Sequence, residues 1–400
     1  MREQDATVLR MSDDQRRARL AARHHLAAAA RVSDVVRLAG DLAGLHGTDP
    51  ATVFLSAAAR LTEPADAVGA LERALYEDRT LVRTLCMRRT MFVVPIDFVA
   101  VVQHACTEPL VARERRRLVG MIEDQGIAAD GLTWLETVEG ATLAELERVG
   151  EATGVELSKT VPGLGEQLLF GEGRKWAAKV GMTTRVLFLL STAQRVVRGR
   201  PKGSWTSSQY RWSLMGEWLP DGIPAIDPAS ARAQLLRRWL AGFGPATAGD
   251  VTWWTGWTVT QTRAALAAVD AVEVELEEGP GWLLPDDEAP VVCDAPWVSL
   301  LPALDPTTMG WKRRHWYLGE HGPTLFDRNG NAGPTVWADG RVIGGWAQRA
   351  GGEVVHELLD DVGRDVRTAV ARAAAELENW LGDTRVKPRF PTPLQTKLAR

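Results

Sequence analysis

Residues 231–285 constrain the fold of this chain more than any other stretch. Leu235, Leu236, Trp239 and Leu240 recur at helical spacing, and Thr247 opens a second helix running to Thr255. Thr258, with Gln261 three residues on, has the spacing of a capping box and opens a third helix to Val269. Val272, Val274 and Leu276 then alternate with Glu273 and Glu275, the period of a half-buried strand. Glu277-Glu278-Gly279-Pro280-Gly281 turns that strand into Trp282-Leu283-Leu284. Three helices followed by a β-hairpin make a winged helix, a helix-turn-helix variant whose third helix and wing commonly meet DNA.

The pattern predicts two further copies. In the first, over 33–94, Leu81–Leu85 pairs with Thr90–Val94, and Arg88 and Arg89 lie near the turn. The middle copy, about 141–217, starts where Gly140-Ala141-Thr142-Leu143 parallels Gly244-Pro245-Ala246-Thr247, and Val196-Val197-Arg198-Gly199-Arg200 enters its wing. Beyond 296 short apolar strands flank Asp339-Gly340, a strong hairpin signal, and an alanine-rich helix runs from Gly363 to Trp380. The expected class is α+β, with about three tandem winged-helix units and a C-terminal β-barrel-like element. The expected boundaries are a helical lead over 1–31, units over 32–140, 141–228 and 229–295, the β-rich element and helix over 296–384, and a basic tail over 385–400.

Four hundred residues, 45% of them hydrophobic, suffice for several cores. Three widely spaced cysteines, Cys86, Cys106 and Cys293, argue against a disulfide framework and a structural zinc site. No apolar run is long enough to cross a bilayer and no secretory signal is evident, so a soluble, cytoplasmic protein is expected, nucleoid-associated when bound to DNA. The net charge of −4 conceals an uneven distribution. Residues 173–211 hold nine bases (Arg174, Lys175 and Lys202 among them) and no acid, residues 264–300 hold nine acids and no base, and the tail from Thr384 carries only bases. That asymmetry suits a polyanion engaged by one face. Arg198, Arg200 and Lys202 surround Gly199, Pro201 and Gly203 in what reads as an exposed wing. Of the sixteen tryptophans, the cluster Trp253, Trp254 and Trp257 reads as core, and His24-His25 as solvated. The glycines at 163–173 lack phosphate-loop spacing, and no metal-ligand spacing occurs, so neither nucleotide, cofactor nor metal is expected.

One polar hexapeptide interrupts the apolar pattern. In Leu45-His46-Gly47-Thr48-Asp49-Pro50, Asp49 can cap the next helix and Pro50 suits its first position. His46 and Thr48 then sit at a helix N-terminus, where donors and dipole favour an anion such as phosphate. The same pattern also fits a well-capped turn with a surface histidine.

Together with Ala59-Arg60-Leu61, Arg89-Thr90-Met91-Phe92-Val93-Val94-Pro95, Gly244-Pro245-Ala246-Thr247 and Leu300-Leu301-Pro302-Ala303-Leu304-Asp305-Pro306, this hexapeptide resembles the bacterial winged-helix DNA glycosylases of the AlkZ type over roughly 30–385. The resemblance implies excision of alkylated bases from double-stranded DNA, unhooking of interstrand crosslinks, and a concave DNA channel. In that family the catalytic pair is glutamine, any residue, then glutamine or aspartate; here His46 and Thr48 occupy those positions. A neutral histidine, with a reference pKa near ~6.5, can orient water and accept its proton, and the threonine hydroxyl can place that water. Asp49 and Arg60 are candidate supports, and Arg88, Arg89, Arg198, Arg200 and Lys202 candidate phosphate contacts. The expected function is cleavage of the N-glycosidic bond of a bulky or cationic N-alkylpurine by a monomer, since no dimer helix is evident. The alternatives are a non-enzymatic winged-helix DNA-binding protein, regulatory or architectural, and a protein-binding module docking through its acidic third wing.

Overall fold

The computed structural model describes residues 9–400 except 172, 174–176 and 294. Arg174 and Lys175 of the basic stretch and Asp294 of the acidic one therefore lie outside the described residues. The chain is a mixed α+β molecule in which three helix-plus-hairpin units alternate with longer helices and end in a four-stranded sheet.

Each unit is built alike. A short strand, or a single bridging residue, precedes a helix and pairs with the last strand of the hairpin. In the first unit Leu45–His46 pairs antiparallel with Met91–Pro95, itself paired with Leu81–Leu85. In the second, Glu151–Thr153 pairs with Tyr210–Leu214 and that with Val196–Pro201. In the third, Ala246 bridges Trp282 in Gly279–Leu283, the hairpin partner of Val272–Leu276. Local chemistry places these elements as expected: Asp49 caps Pro50–Ala58, and Thr247 and Thr258 close capping boxes on Ala248–Thr255 and Val259–Ala268.

The repeat in the second unit lies elsewhere than the sequence suggested. Thr142 is inside the helix Gly131–Val149, its hydroxyl donating to the Val138 carbonyl at 2.7 Å. The helix ends at Gly150, and the capping threonine is Thr153. That unit also carries an unanticipated second hairpin, Gln167–Phe170 with Ala178–Gly181.

The expected β-barrel-like element is an open antiparallel sheet. Val298–Leu301, Thr335–Ala338, Arg341–Gln348 and Val354–Leu358 pair in sequence, and the outer two do not pair with each other. The helix Arg364–Leu381 explains why: it packs on both outer strands, and Val370, Ala374 and Leu381 bury the face that closure would have covered. Asp339-Gly340 forms the two-residue hairpin loop, both residues at positive φ.

The acidic third wing is engaged by the rest of the chain at one end, while Glu273, Glu275 and Glu277 stay exposed. Arg16 of the helix Asp13–Arg23 pairs with Glu278 at 3.1 Å, and Arg19 and Arg23 both pair with Asp287. His24, expected to be solvated, is fully buried between Phe243 and Trp311, bonded to Thr307 Oγ1 at 2.8 Å and the Gly242 carbonyl at 3.2 Å. His25 is buried too, against Asp41. Trp239, Phe243, Trp254 and Trp311 form an aromatic stack at the junction of the first unit, the third unit and the sheet. Such rings bury ~150–250 Å2 each, which makes this junction a large part of the core.

Candidate active site

The strand Leu45–His46 is too short to stand alone; it exists because Leu45 and His46 pair with Val93 and Phe92. Pairing turns His46 inward against the Phe92 ring, at 5.1 Å between centroids, and leaves it only 4% exposed. The Gly47 N–H continues the pairing to the Met91 carbonyl at 2.7 Å, and its own carbonyl accepts from Arg83 Nη1 at 2.8 Å. A Cβ at Gly47 would lie 2.9 Å from that guanidinium, so a larger residue here would displace the Arg83 contact. Thr48 follows, then Asp49, whose carboxylate accepts from the Ala51 N–H at 3.1 Å and the Arg389 N–H at 2.9 Å.

His46 and Thr48 line a cavity of about 360 Å3 together with Arg88, Trp253, Lys312 and Arg314, and with the turn at Asn329–Asn331. His46 Nδ1 and Thr48 Oγ1 are both buried without a hydrogen-bond partner. Two buried polar atoms left unsatisfied at one site are costly, and both face a cavity in which a ligand or water could supply the missing partner. Backbone strain gathers here as well: Arg88 (φ 52°) and Leu304 (φ 59°), both lining the cavity, adopt left-handed conformations without being glycine. Burial, with the Arg88 guanidinium adding to it and Asp305 opposing it, pushes the His46 imidazole down to about 3. The imidazole is therefore neutral at physiological pH, and a weaker base than an ordinary histidine. Burial, then the charge of Arg314, brings Arg88 to about 10, where it keeps its charge at neutral pH.

The remaining sequence-derived candidates divide. Asp49 does not line the cavity; both its oxygens serve the helix cap and the tail. Arg60, fully buried, forms a paired bridge to Asp305 at 2.7 and 2.9 Å and also donates to the His24 and Ser56 carbonyls and Thr307. It supports the site at one remove, because Asp305 follows the cavity residue Leu304. Ser56 donates to the same carboxylate at 2.6 Å, and Thr52 to the Ala303 carbonyl at 2.7 Å. The motifs around His46, Arg60 and Asp305 are thus one interlocked assembly. Arg89 pairs with Glu114 at 2.9 Å and stays partly exposed.

Two wing residues do not present themselves to a phosphate as expected. Arg200 is engaged by Glu72 at 2.6 Å and Glu77 at 3.1 Å, tying the second unit to the first. Arg198 lies over the rings of Tyr210 and Trp212, largely buried. Lys202 is exposed. Trp254 and Trp257 are core, but Trp253 belongs to the cavity wall. The sequence reading missed Lys312 and Arg314, although Lys312-Arg313-Arg314 is itself a short basic run. It also missed Arg113, Arg116 and Arg117, exposed on the helix Glu108–Asp124, although the run Arg113-Glu114-Arg115-Arg116-Arg117 was a visible signal. Among the described residues no group of three His, Cys, Asp or Glu side chains is placed to hold a metal. Nor is any helix among them long and apolar enough to cross a membrane.

The cavity is thus cationic, with a buried neutral imidazole in its wall. The family model for AlkZ-like DNA glycosylases matches residues 39–380, and the chain belongs to that family. Its fold is similar to that of the Streptomyces sahachiroi DNA glycosylase AlkZ, with a TM-score of 0.71, 20% sequence identity, and coverage of 95% of this chain and 100% of that one. No curated protein sequence matches significantly.

Proposed function

We propose that this DNA glycosylase hydrolyses the N-glycosidic bond of bulky or cationic N-alkylpurines in double-stranded DNA, interstrand crosslinks included, with His46 and Thr48 as its catalytic pair. The observation that carries this is the pair of unsatisfied buried atoms, His46 Nδ1 and Thr48 Oγ1, lining one cationic cavity. The three helix-plus-hairpin units are winged helices in this reading, the protein works as a soluble monomer, and exposed Arg113, Arg116, Arg117 and Lys202 join Arg88 and Arg89 as phosphate contacts.

The chemistry follows from the state of His46. The C1′–N bond breaks with its electron pair leaving on the base, and a positively charged purine departs without acid assistance. A water held between the imidazole nitrogen and the Thr48 hydroxyl adds its oxygen to C1′. An imidazolium would repel the developing oxocarbenium charge, so holding the ring neutral favours the step. Once water has added, it is strongly acidic, and even a base weakened to about 3 takes its proton. The expectation of an ordinary histidine pKa is thereby revised: His46 orients first and accepts late.

Incubating the protein with alkylated duplex and measuring abasic sites tests this reading. Release of the alkylated base is expected. Tight, salt-sensitive duplex binding with no release from any alkylated substrate would replace it with the non-enzymatic DNA-binding reading.

A further inference from the structure

Among the described residues, the cavity lining holds three cations, Arg88, Lys312 and Arg314, and no carboxylate. Two of them share one aromatic surface. The Arg88 guanidinium lies 3.9 Å from the Trp253 ring centroid, and that of Arg314 lies 5.0 Å from the same centroid. Arg314 is fixed further by its Nε donating to the Trp311 carbonyl at 2.8 Å and by the Phe326 ring at 4.5 Å. Arg88 is fixed by its left-handed backbone, and its Nε is buried without a partner. Lys312 is positioned through its backbone N–H, which donates to Asp250 at 2.9 Å. Like charges held together in a partly buried site repel, and the arrangement is balanced only when an anion comes between them.

We propose that Trp253 holds Arg88 and Arg314 as a clamp, with Lys312 beside it, for a single DNA phosphodiester adjacent to the His46–Thr48 pair. The proposal rests on the reading of this cavity as the place where DNA is processed. A nucleobase is a poorer fit to the clamp, because the guanidiniums already occupy the Trp253 ring that a base would stack on. Guanidinium forks match phosphate oxygens in both geometry and charge. Trp253 is a positioning residue: it touches the two arginines and orients them. The clamp also has a consequence for its neighbour, since an anion on Arg88 offsets the positive charge facing His46 and makes proton acceptance easier once DNA is bound.

A phosphate-by-phosphate scan tests this. Duplexes carrying an abasic analogue at a fixed position are prepared with one linkage at a time replaced by an uncharged methylphosphonate, and binding to the full-length protein is measured. One linkage beside the analogue is expected to cost about tenfold to a hundredfold in affinity, the loss typical of a charge-assisted contact, with small effects elsewhere. In Arg88→Gln and Arg314→Gln the difference between phosphate and methylphosphonate at that linkage disappears. Trp253→Leu keeps both cations yet loses most of that difference; a merely structural tryptophan would lower the melting temperature and leave the difference intact. A flat scan with the wild type, which needs no variant to fold, overturns the proposal, as does discrimination that persists without either arginine. Binding to the analogue requires no base release, so a protein that fails to excise but shows the sensitive linkage refutes the glycosylase reading and leaves the clamp standing. A protein that excises but scans flat does the reverse.

Discussion

Among the described residues the same junction occurs three times, and one copy of the three is left open. In the second unit Thr153 ends its strand and caps the next helix at once, accepting from the Glu156 N–H at 3.2 Å while its own N–H donates to the Glu156 carboxylate at 2.7 Å. In the third, Thr247 follows the bridging residue Ala246 and closes the same reciprocal box with Asp250. In the first, Gly47 and Thr48 stand between the paired residue His46 and the cap Asp49. The residue at the box-closing position is Thr52, and its hydroxyl goes to the Ala303 carbonyl instead. The second and third junctions close their caps locally, although in the third the other Asp250 oxygen also holds the Lys312 and Arg313 N–H groups. The first sends its polar groups outward to the 300–306 segment and the tail, and leaves His46 and Thr48 unsatisfied beside a cavity. A helix start becomes a site when its cap no longer consumes every polar group at hand.

The largest expected effect breaks the comparison at its centre. His46→Ala should lower single-turnover excision from an N7-alkylguanine duplex by ~10² to 10⁴-fold with duplex affinity nearly unchanged, and Thr48→Ala should lower it less. His46→Gln, which restores half of the family's pair, should retain part of the rate. Equal activity in His46→Ala and wild type would show that the open junction is a structural accident. Next comes the assembly that holds the open junction in place. Arg60→Leu leaves the Asp305 carboxylate buried and uncompensated, and should cost about 3–5 kcal/mol in chemical denaturation. A loss below ~1 kcal/mol would mean that the Arg60–Asp305 bridge does not tie the helix Pro50–Ala58 to the 300–306 segment.

Acid should also separate the junctions, because only the open one buries an imidazole. The His46 pKa is depressed in the folded protein, so the unfolded chain binds the proton first: the contribution is complete above about pH 6.5 and is lost as pH falls toward about 3. By pH 5 the loss is about 2 kcal/mol. His24, buried with its pKa also well below the usual value, shifts stability in the same direction, so the informative quantity is the difference from His46→Gln. Denaturation midpoints at pH 7 and pH 5 should fall less in that variant; parallel losses would refute the depressed pKa of His46.

What could be read from sequence follows the same division between local and distant causes. The Asp49, Thr247 and Thr258 caps, the Asp339-Gly340 hairpin and the alternation of Val272, Val274 and Leu276 are set by neighbours a few residues away, and all lie where expected. Thr142 misled because Gly140 beside it resembles a helix end. It sits instead within a helix, where an internal glycine costs only ~1 kcal/mol and is tolerated, and Gly150 is the residue at positive φ that ends it. The barrel-like element expected at the C-terminal end is an open sheet because the helix that caps it follows it in sequence, and nothing in the strands announces which partner covers them. Arg200 and Arg60 look like free cations in a sequence; their carboxylates lie 128 and 245 residues away. His46 could be singled out by its position, but its burial depends on Phe92, and with burial comes the weakened basicity that reshapes its role.

The smallest expected effect compares the caps themselves. Thr153→Ala and Thr247→Ala each remove one capping hydroxyl and should cost about 0.5–2 kcal/mol, the former without changing excision. Asp49→Ala removes a cap of the same kind, but its second oxygen also holds the Arg389 N–H, and the Arg389 side chain reaches the Thr48 carbonyl at 3.3 Å. Its stability loss should therefore fall in the same range, while excision drops as well, because Thr48 loses the tail that backs it. Thermal denaturation and single-turnover excision measured on all three variants separate the two properties. If Asp49→Ala loses only stability, the first junction is a cap like the other two and the placement of Thr48 does not depend on the tail. If Thr153→Ala also slows excision, the closed junctions are not confined to the fold, and the division between satisfied and open helix starts would have to be redrawn around the contact between the first and second units.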